Sequence, residues 1–339
     1  MKLIATFNPI RLSSLALCWI VSLFPTFAIG SNYGEQLEGF AYPYPVHRYE
    51  FVSQKQKLSM AYMDVAPDKP PAKATVVMLH GKNFCAATWE SSITALVEQG
   101  YRVIAPDQIG FCASSKPQHY QFSFQQLASN TVALLDQLHV QHAVVLGHST
   151  GGMLAIRLAL MYPERVSQLV LVNPIGLEDW KALGVPYRTV DEWYQRELAL
   201  NADKIRQYEK KTYYVGRWKP EFEKWVDMLA GLNAGPAHDI VAWDSALIYD
   251  MIFTQPVVYE LPNLKMHTTL MIGDADTTAI GSDVASPEVQ ARIGHYERLG
   301  PETVKAIPNA RLILFHGMGH APQIEDPKAF NQALLSILE

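Results

Sequence analysis

Cysteine, basic clusters and repeated units are scarce in this chain, and each shortage narrows what it can be. Its 339 residues hold three cysteines, Cys18, Cys85 and Cys112. Lysine and arginine are scattered and the net charge is -5, so no basic footprint for nucleic acid exists. No Walker or dinucleotide fingerprint occurs, so no nucleotide cofactor is expected. No internal repeat or low-complexity segment is found, which argues against a solenoid. What is abundant is apolar side chain: 49% of residues are hydrophobic, enough to bury a real core.

Charge is scarcest at the start. Lys2 and Arg11 are the only charged residues among the first thirty. Leu12 to Ile29 is mostly apolar, and Ala28-Ile29-Gly30 offers the small residues a signal peptidase prefers. Residues 1–30 are therefore read as a secretory leader, and the protein as periplasmic or secreted. The rival is an uncleaved anchor, disfavoured because the run is short for a span and Pro25 interrupts it. Leu17 before Cys18, where a small residue is usual, argues against lipidation. Cleavage would take the net charge to -7 and leave only Cys85 and Cys112. In an oxidising compartment these two can bridge; two small buried thiols are the equal alternative.

Beyond the leader, strand and helix alternate. Tyr49–Val52 and Leu58–Met63 alternate apolar and polar and read as an antiparallel edge hairpin, after an extended lead-in over residues 32–46. Thr75–Leu79 is a continuous apolar run, as expected of a parallel strand covered on both faces. Arg102–Ala105, Ala143–Leu146 and Val166–Val172 repeat it, with helical spacing over Trp89–Gln99 and Phe124–Leu138 between them. Alternation stops at Asn173-Pro174. Helix-like pieces rich in Trp and Tyr then run to about Pro262. The pattern resumes with strands at His267–Ile272 and Arg311–Phe315 and a terminal helix over Pro327–Leu338. The expected fold is α/β, a mostly parallel central sheet with helices on both faces. Its organisation is a core over 31–174, a helical cap over 175–262 inserted after the sixth strand, and more core over 263–339. Most cap aromatics are expected to pack, with two or three lining a pocket.

Gly147-His148-Ser149-Thr150-Gly151 lies between an apolar strand and a helix. A G-x-S-x-G in that setting is a nucleophile elbow: a tight turn that needs glycine on both sides and pushes a serine hydroxyl into the open. The amide of Thr150, at the helix start, is free to bind an oxyanion. A serine needs a base, and the base an orienting acid, following in the order Ser, acid, His. Gly273-Asp274-Ala275-Asp276 follows one late strand and His316-Gly317-Met318-Gly319-His320 the next. All three groups thus lie past the carboxyl ends of core strands. His148 is expected to point away from the serine, and His80 and His316 to organise loops. Two glycines between His316 and His320 argue against a helical metal-ligand pair, so no metal or other cofactor is expected.

With these motifs in place, the chain resembles the α/β-hydrolases that carry a cap domain, over roughly residues 45–339. The resemblance implies Asp276, at the end of a G-x-x-D turn, as the acid, with Asp274 its main rival. Relatives with the acid after an earlier strand would nominate Glu178 or Asp179. It implies His320, which follows a glycine and precedes Glu325-Asp326-Pro327, as the base. His80-Gly81 resembles the oxyanion loop, which implies the Lys82 amide as second donor. Asp107 to Ser115 resembles the D-x-x-G-x-G-x-S segment, but Cys112 stands where the second glycine is usual. A serine nucleophile argues against the dehalogenase and epoxide-hydrolase branches, which use a carboxylate. The expected activity is hydrolysis of a carboxylic ester of a small to medium acyl substrate through an acyl-enzyme. Lactonase, amidase or C–C hydrolase chemistry with the same triad is the alternative, and a non-catalytic binder on the same fold the reading from another class.

Overall fold

In a computed structural model, residues 32–338 are described. The expected leader, with Cys18, lies outside the described residues. Among the described residues no helix is long and apolar enough to cross a membrane.

Eight strands form one sheet: β1 (Val46–Ser53), β2 (Gln56–Val65), β3 (Thr75–Leu79), β4 (Arg102–Pro106), β5 (Ala143–His148), β6 (Val166–Val172), β7 (His267–Gly273) and β8 (Ala310–Phe315). Their spatial order is β1-β2-β4-β3-β5-β6-β7-β8. Only β1–β2 and β2–β4 pair antiparallel; every later pair is parallel. The hairpin expected at the edge is there, and the continuous apolar runs are the parallel strands.

Those runs are apolar throughout because both faces are covered. Val76 and Met78 point to one side, with Trp89, Ile93, Phe330 and Leu334. That layer is α1 (Glu90–Glu98) and the terminal helix Pro327–Leu338. Val77 and Leu79 point to the other side, with Leu127, Leu134, Leu154 and Leu158. That layer includes α2 (Phe124–Gln137), started by the Ser123 side chain accepting from the Gln126 amide, and α3 (Thr150–Met161). Between β7 and β8 lies a helix over Tyr296–Ala306 that the sequence pattern did not reveal. Its Pro301 and short apolar stripe obscure the period.

Between β6 and β7 the described residues form helices and no strand: α4 (Val190–Leu198), α5 (Ala202–Tyr208), a π-helical turn over Glu209–Tyr213, α6 (Glu223–Ala234) and α7 (His238–Thr254). A full capping box at Thr189 and Glu192 opens α4. Trp193 of α4 stacks on Tyr249 of α7 at 4.2 Å and 9°. Trp180, Trp193 and Trp225 are buried here, while Trp218 and Trp243 are partly covered. The lead-in is not a plain extended strand. It turns around residues 35–39, buries Leu37, and anchors on α6 through Tyr33, whose amide donates to Gly231 and whose hydroxyl donates to Asp227.

Cys85 and Cys112 are unbonded, buried thiols whose sulfur atoms lie within 4.8 Å of each other. Asp107 organises both loops, accepting from the amides of Ala86 and Ala113 and from the Tyr42 hydroxyl. Cys112 takes φ +44°, so the turn that usually has glycine is made here by a left-handed cysteine.

Two outcomes are expected. Both thiols should resist alkylation in the folded protein and take one label each after unfolding, read by intact mass. A loss of two hydrogens without reductant would instead reveal the bridge. Asp244 on α7 is buried with neither carboxylate oxygen hydrogen-bonded, and burial lifts it from 3.8 to about 8, opposed by Lys116. The folded state keeps a proton that the unfolded chain releases above pH 4, so this group costs stability increasingly from about pH 4 to about pH 8. Asp244→Asn should therefore raise Tm little at pH 4.5 and several degrees at pH 8. An equal change at both would refute it.

Candidate active site

Parallel register brings the carboxyl ends of five strands level. Leu79 pairs with Gly147, His148 with Val172, Val172 with Met271, and Gly273 with Phe315. The residues just past these ends therefore meet along one edge of the sheet. They are Gly81-Lys82 after β3, Ser149 after β5, Asn173 after β6, Asp276 after β7 and His320 after β8.

Ser149 occupies φ +55°, ψ -119° at the start of α3, a costly conformation for a side-chain-bearing residue and one kept where the turn itself is needed. Its neighbours explain the glycines. A Cβ on Gly147 would lie 2.1 Å from the carbonyl oxygen of Gly151, and one on Gly151 2.3 Å from that of Leu79. At Gly81 a Cβ would come 3.0 Å from that of Ser149, so the loop after β3 rests directly on the elbow. The backbone amides of Lys82 and Thr150 donate to no protein acceptor among the described residues, leaving both free for an anion.

His320 is fully buried, and its Nδ1 lies 2.7 Å from Asp276 Oδ2. A carboxylate only accepts, so Nδ1 carries the proton of this hydrogen bond. Nε2 is buried and has no hydrogen-bond partner. No hydrogen bond joins it to Ser149. Asp276 is itself held on every side. Its Oδ1 accepts from the amide and hydroxyl of Thr278 at 2.8 and 2.7 Å, and its Oδ2 also accepts from Asn173 Nδ2 at 2.9 Å.

The rival carboxylates are engaged elsewhere. Asp274 bonds the exposed His316 ring at 2.7 Å and the Gly317 amide. Glu178 accepts from Trp180 Nε1 and the Gly294 amide, and Asp179 from the Tyr259 hydroxyl. His80 bridges its own loop, with Nδ1 donating to the Gly81 carbonyl and Nε2 accepting from the Gln108 amide. His148 packs against His320, ring centres 4.9 Å apart, and its Nε2 donates to the His320 carbonyl at 2.8 Å. Burial, then the neighbouring His320, lowers the His148 pKa well below 6.5, so it stays neutral and fixes the base's backbone.

Three contributors were not legible in the sequence. Asn173 sits at φ +36° and ties β6 to β7, accepting from the Gly273 amide while donating to Asp276; the break at Asn173-Pro174 was its only trace. Tyr213 stacks on the His320 ring at 4.9 Å, and its hydroxyl accepts from Asn83 Nδ2. Gly319 makes room, since a Cβ there would lie 2.2 Å from the Tyr213 carbonyl oxygen. Finally, the Lys82 side chain crosses to the helical segment, with Nζ bonding Ser245 at 2.7 Å and Glu197 at 3.2 Å, 3.8 Å above the Tyr249 ring.

A model of the alpha/beta hydrolase fold matches residues 74–214. An AB hydrolase superfamily protein of Bacillus subtilis is 37% identical over 271 residues, 78% of this chain and 90% of that one. A haloalkane dehalogenase of Mycolicibacterium paratuberculosis is 32% identical over 135 residues; the match spans 39% of this chain and less than half, 44%, of the dehalogenase. The crystal structure of a probable hydrolytic enzyme from Pseudomonas aeruginosa superposes with a TM-score of 0.91, at 60% identity, over 92% of this chain and all of that one. The sheet order, the elbow and these likenesses together establish that the chain belongs to the alpha/beta hydrolases.

Proposed function

We propose that this hydrolase is a serine enzyme that cleaves a carboxylic ester, or a related acyl bond, of a small to medium substrate. The observation that carries the reading is the buried His320–Asp276 pair, which leaves Nε2 without a partner at the same edge of the sheet as the elbow that bears Ser149. His320 Nε2 takes the Ser149 proton as Oγ attacks the carbonyl carbon. The amides of Lys82 and Thr150 hold the tetrahedral oxygen. His320 then gives its proton to the leaving group, and the acyl-enzyme forms. Water, deprotonated by the same imidazole, releases the acid. Asp276 keeps the productive tautomer and stabilises the imidazolium.

Ser149 in place of a carboxylate separates this chain from the dehalogenase chemistry named for one partial relative. The relative of known structure is described only as a probable hydrolytic enzyme, so the acyl class rests on the site's own residues. The enzyme is proposed to act after export, on the strength of residues 1–30.

A fluorophosphonate should give one adduct, on Ser149, absent in Ser149→Ala; well-folded protein without an adduct would leave a binding protein as the reading. Asp276→Asn should lower kcat on a chromogenic ester by about four orders of magnitude through the wrong tautomer, whereas Asp274→Asn should change it less than about tenfold. The reverse ranking would remove Asp276 from the mechanism.

A further inference from the structure

Two clefts flank the triad on the helical side. The larger, about 440 Å³, is walled by Trp193, Arg196, Tyr208, Lys211 and Tyr249 and by the loop after Asp276 from Thr277. The smaller, about 300 Å³, is walled by Asn83, Arg196, Lys204, Tyr208 and Tyr249. Arg196, Tyr208 and Tyr249 face both. Neither wall includes Ser149, but both stop one ring short of the base. Tyr208 packs edge-on against Tyr213 at 5.3 Å, Asn83 bonds the Tyr213 hydroxyl, and Tyr213 covers the His320 imidazole.

The charge in these clefts is unbalanced. Of the nearby carboxylates, Asp283 is held by Arg188 at 3.1 Å, and Glu197 by Lys82 and Ser245. The Arg196 guanidinium forms a long ion pair with Glu197 Oε1 at 3.8 Å, without a hydrogen bond to it, so its donor fork is not taken up by that carboxylate. Its carbon lies 5.3 Å from the ring centres of both Trp193 and Tyr249. Lys204 and Lys211 are in no ion pair among the described residues. An acidic chain thus gathers three cations, Arg196, Lys204 and Lys211, of which only Arg196 has a carboxylate partner, and that a long one, at aromatic-walled clefts one ring away from its proposed base. A guanidinium set against flat rings keeps its fork oriented and dry on one side, which suits a planar two-oxygen anion.

We propose that Arg196 anchors a free carboxylate of the substrate. The natural substrates would then be esters whose acid or alcohol part ends in a second, unesterified acid, with Trp193, Tyr208 and Tyr249 holding the apolar body between the two ends. This rests on the serine-hydrolase reading for the bond broken, but not for the anion bound.

A matched pair of probes separates the two. Mono-4-nitrophenyl adipate carries the free acid; methyl 4-nitrophenyl adipate is its neutral counterpart. The wild-type protein should favour the acid in kcat/KM. Arg196→Gln should lose about tenfold to hundredfold on the acid, chiefly through KM, and change little on the neutral ester. Arg196→Lys should recover part of the loss. In Ser149→Ala, where turnover is removed, adipate should still bind, read by tryptophan fluorescence and weakened by Arg196→Gln. Arginine-dependent adipate binding without turnover of either ester would retain the anion site and sink the hydrolase reading. Turnover of both esters with no preference for the acid, or equal losses on both in Arg196→Gln, would overturn the anion site. Neither binding nor turnover would overturn both.

Discussion

One hydrogen bond organises this site: His320 Nδ1 to Asp276 Oδ2, 2.7 Å long and shut away from water. Away from solvent such a bond is strong, and an unpaired carboxylate in the same place would be costly. The surroundings are therefore arranged to keep it made. Thr278 and Asn173 fill the remaining acceptor positions of Asp276. His148, held neutral by burial, fastens the backbone of His320. Remove the pairing and each of these groups loses its reason for being where it is.

The sheet makes that bond possible. Ser149, Asn173, Asp276 and His320 come from four different strand ends, and only a level parallel register sets them side by side. The strain at Ser149 is tolerated because its flanks are glycines packed against backbone, with no room for anything larger. Rigidity is the consequence. A site whose parts hang on adjacent parallel strands cannot shift one part without breaking the ladder of another.

The helical segment closes over this edge through polar links as well as apolar packing. Lys82 ties the loop after β3 to Glu197 and Ser245, while Tyr213 covers the imidazole and is held by Asn83. The loop whose Lys82 backbone amide has no acceptor therefore also bears the side chain that bonds α4 and α7. Arg196 lies on α4 as well, where it pairs with Glu197 at 3.8 Å.

Strand runs, helix starts and the elbow were legible in the residues because each obeys a local rule. A strand covered on both faces is apolar throughout, and a tight turn with a serine at its tip needs glycine on both sides. The order serine, acid, histidine followed from the position of each motif past a strand. Which of Asp274 and Asp276 faces the histidine did not: two positions apart in one turn, they differ only in direction, and the fold sends one to His316 and the other to His320. The helix at Tyr296–Ala306 was hidden by its proline, and the fate of Cys85 and Cys112 by a distance no spacing encodes. Asn173, Tyr213 and the Lys82 ammonium matter only through contacts with residues far along the chain. Local propensity and periodicity are written along the polymer; the partners of a buried polar group are set by packing across it, and only the folded chain brings them within reach.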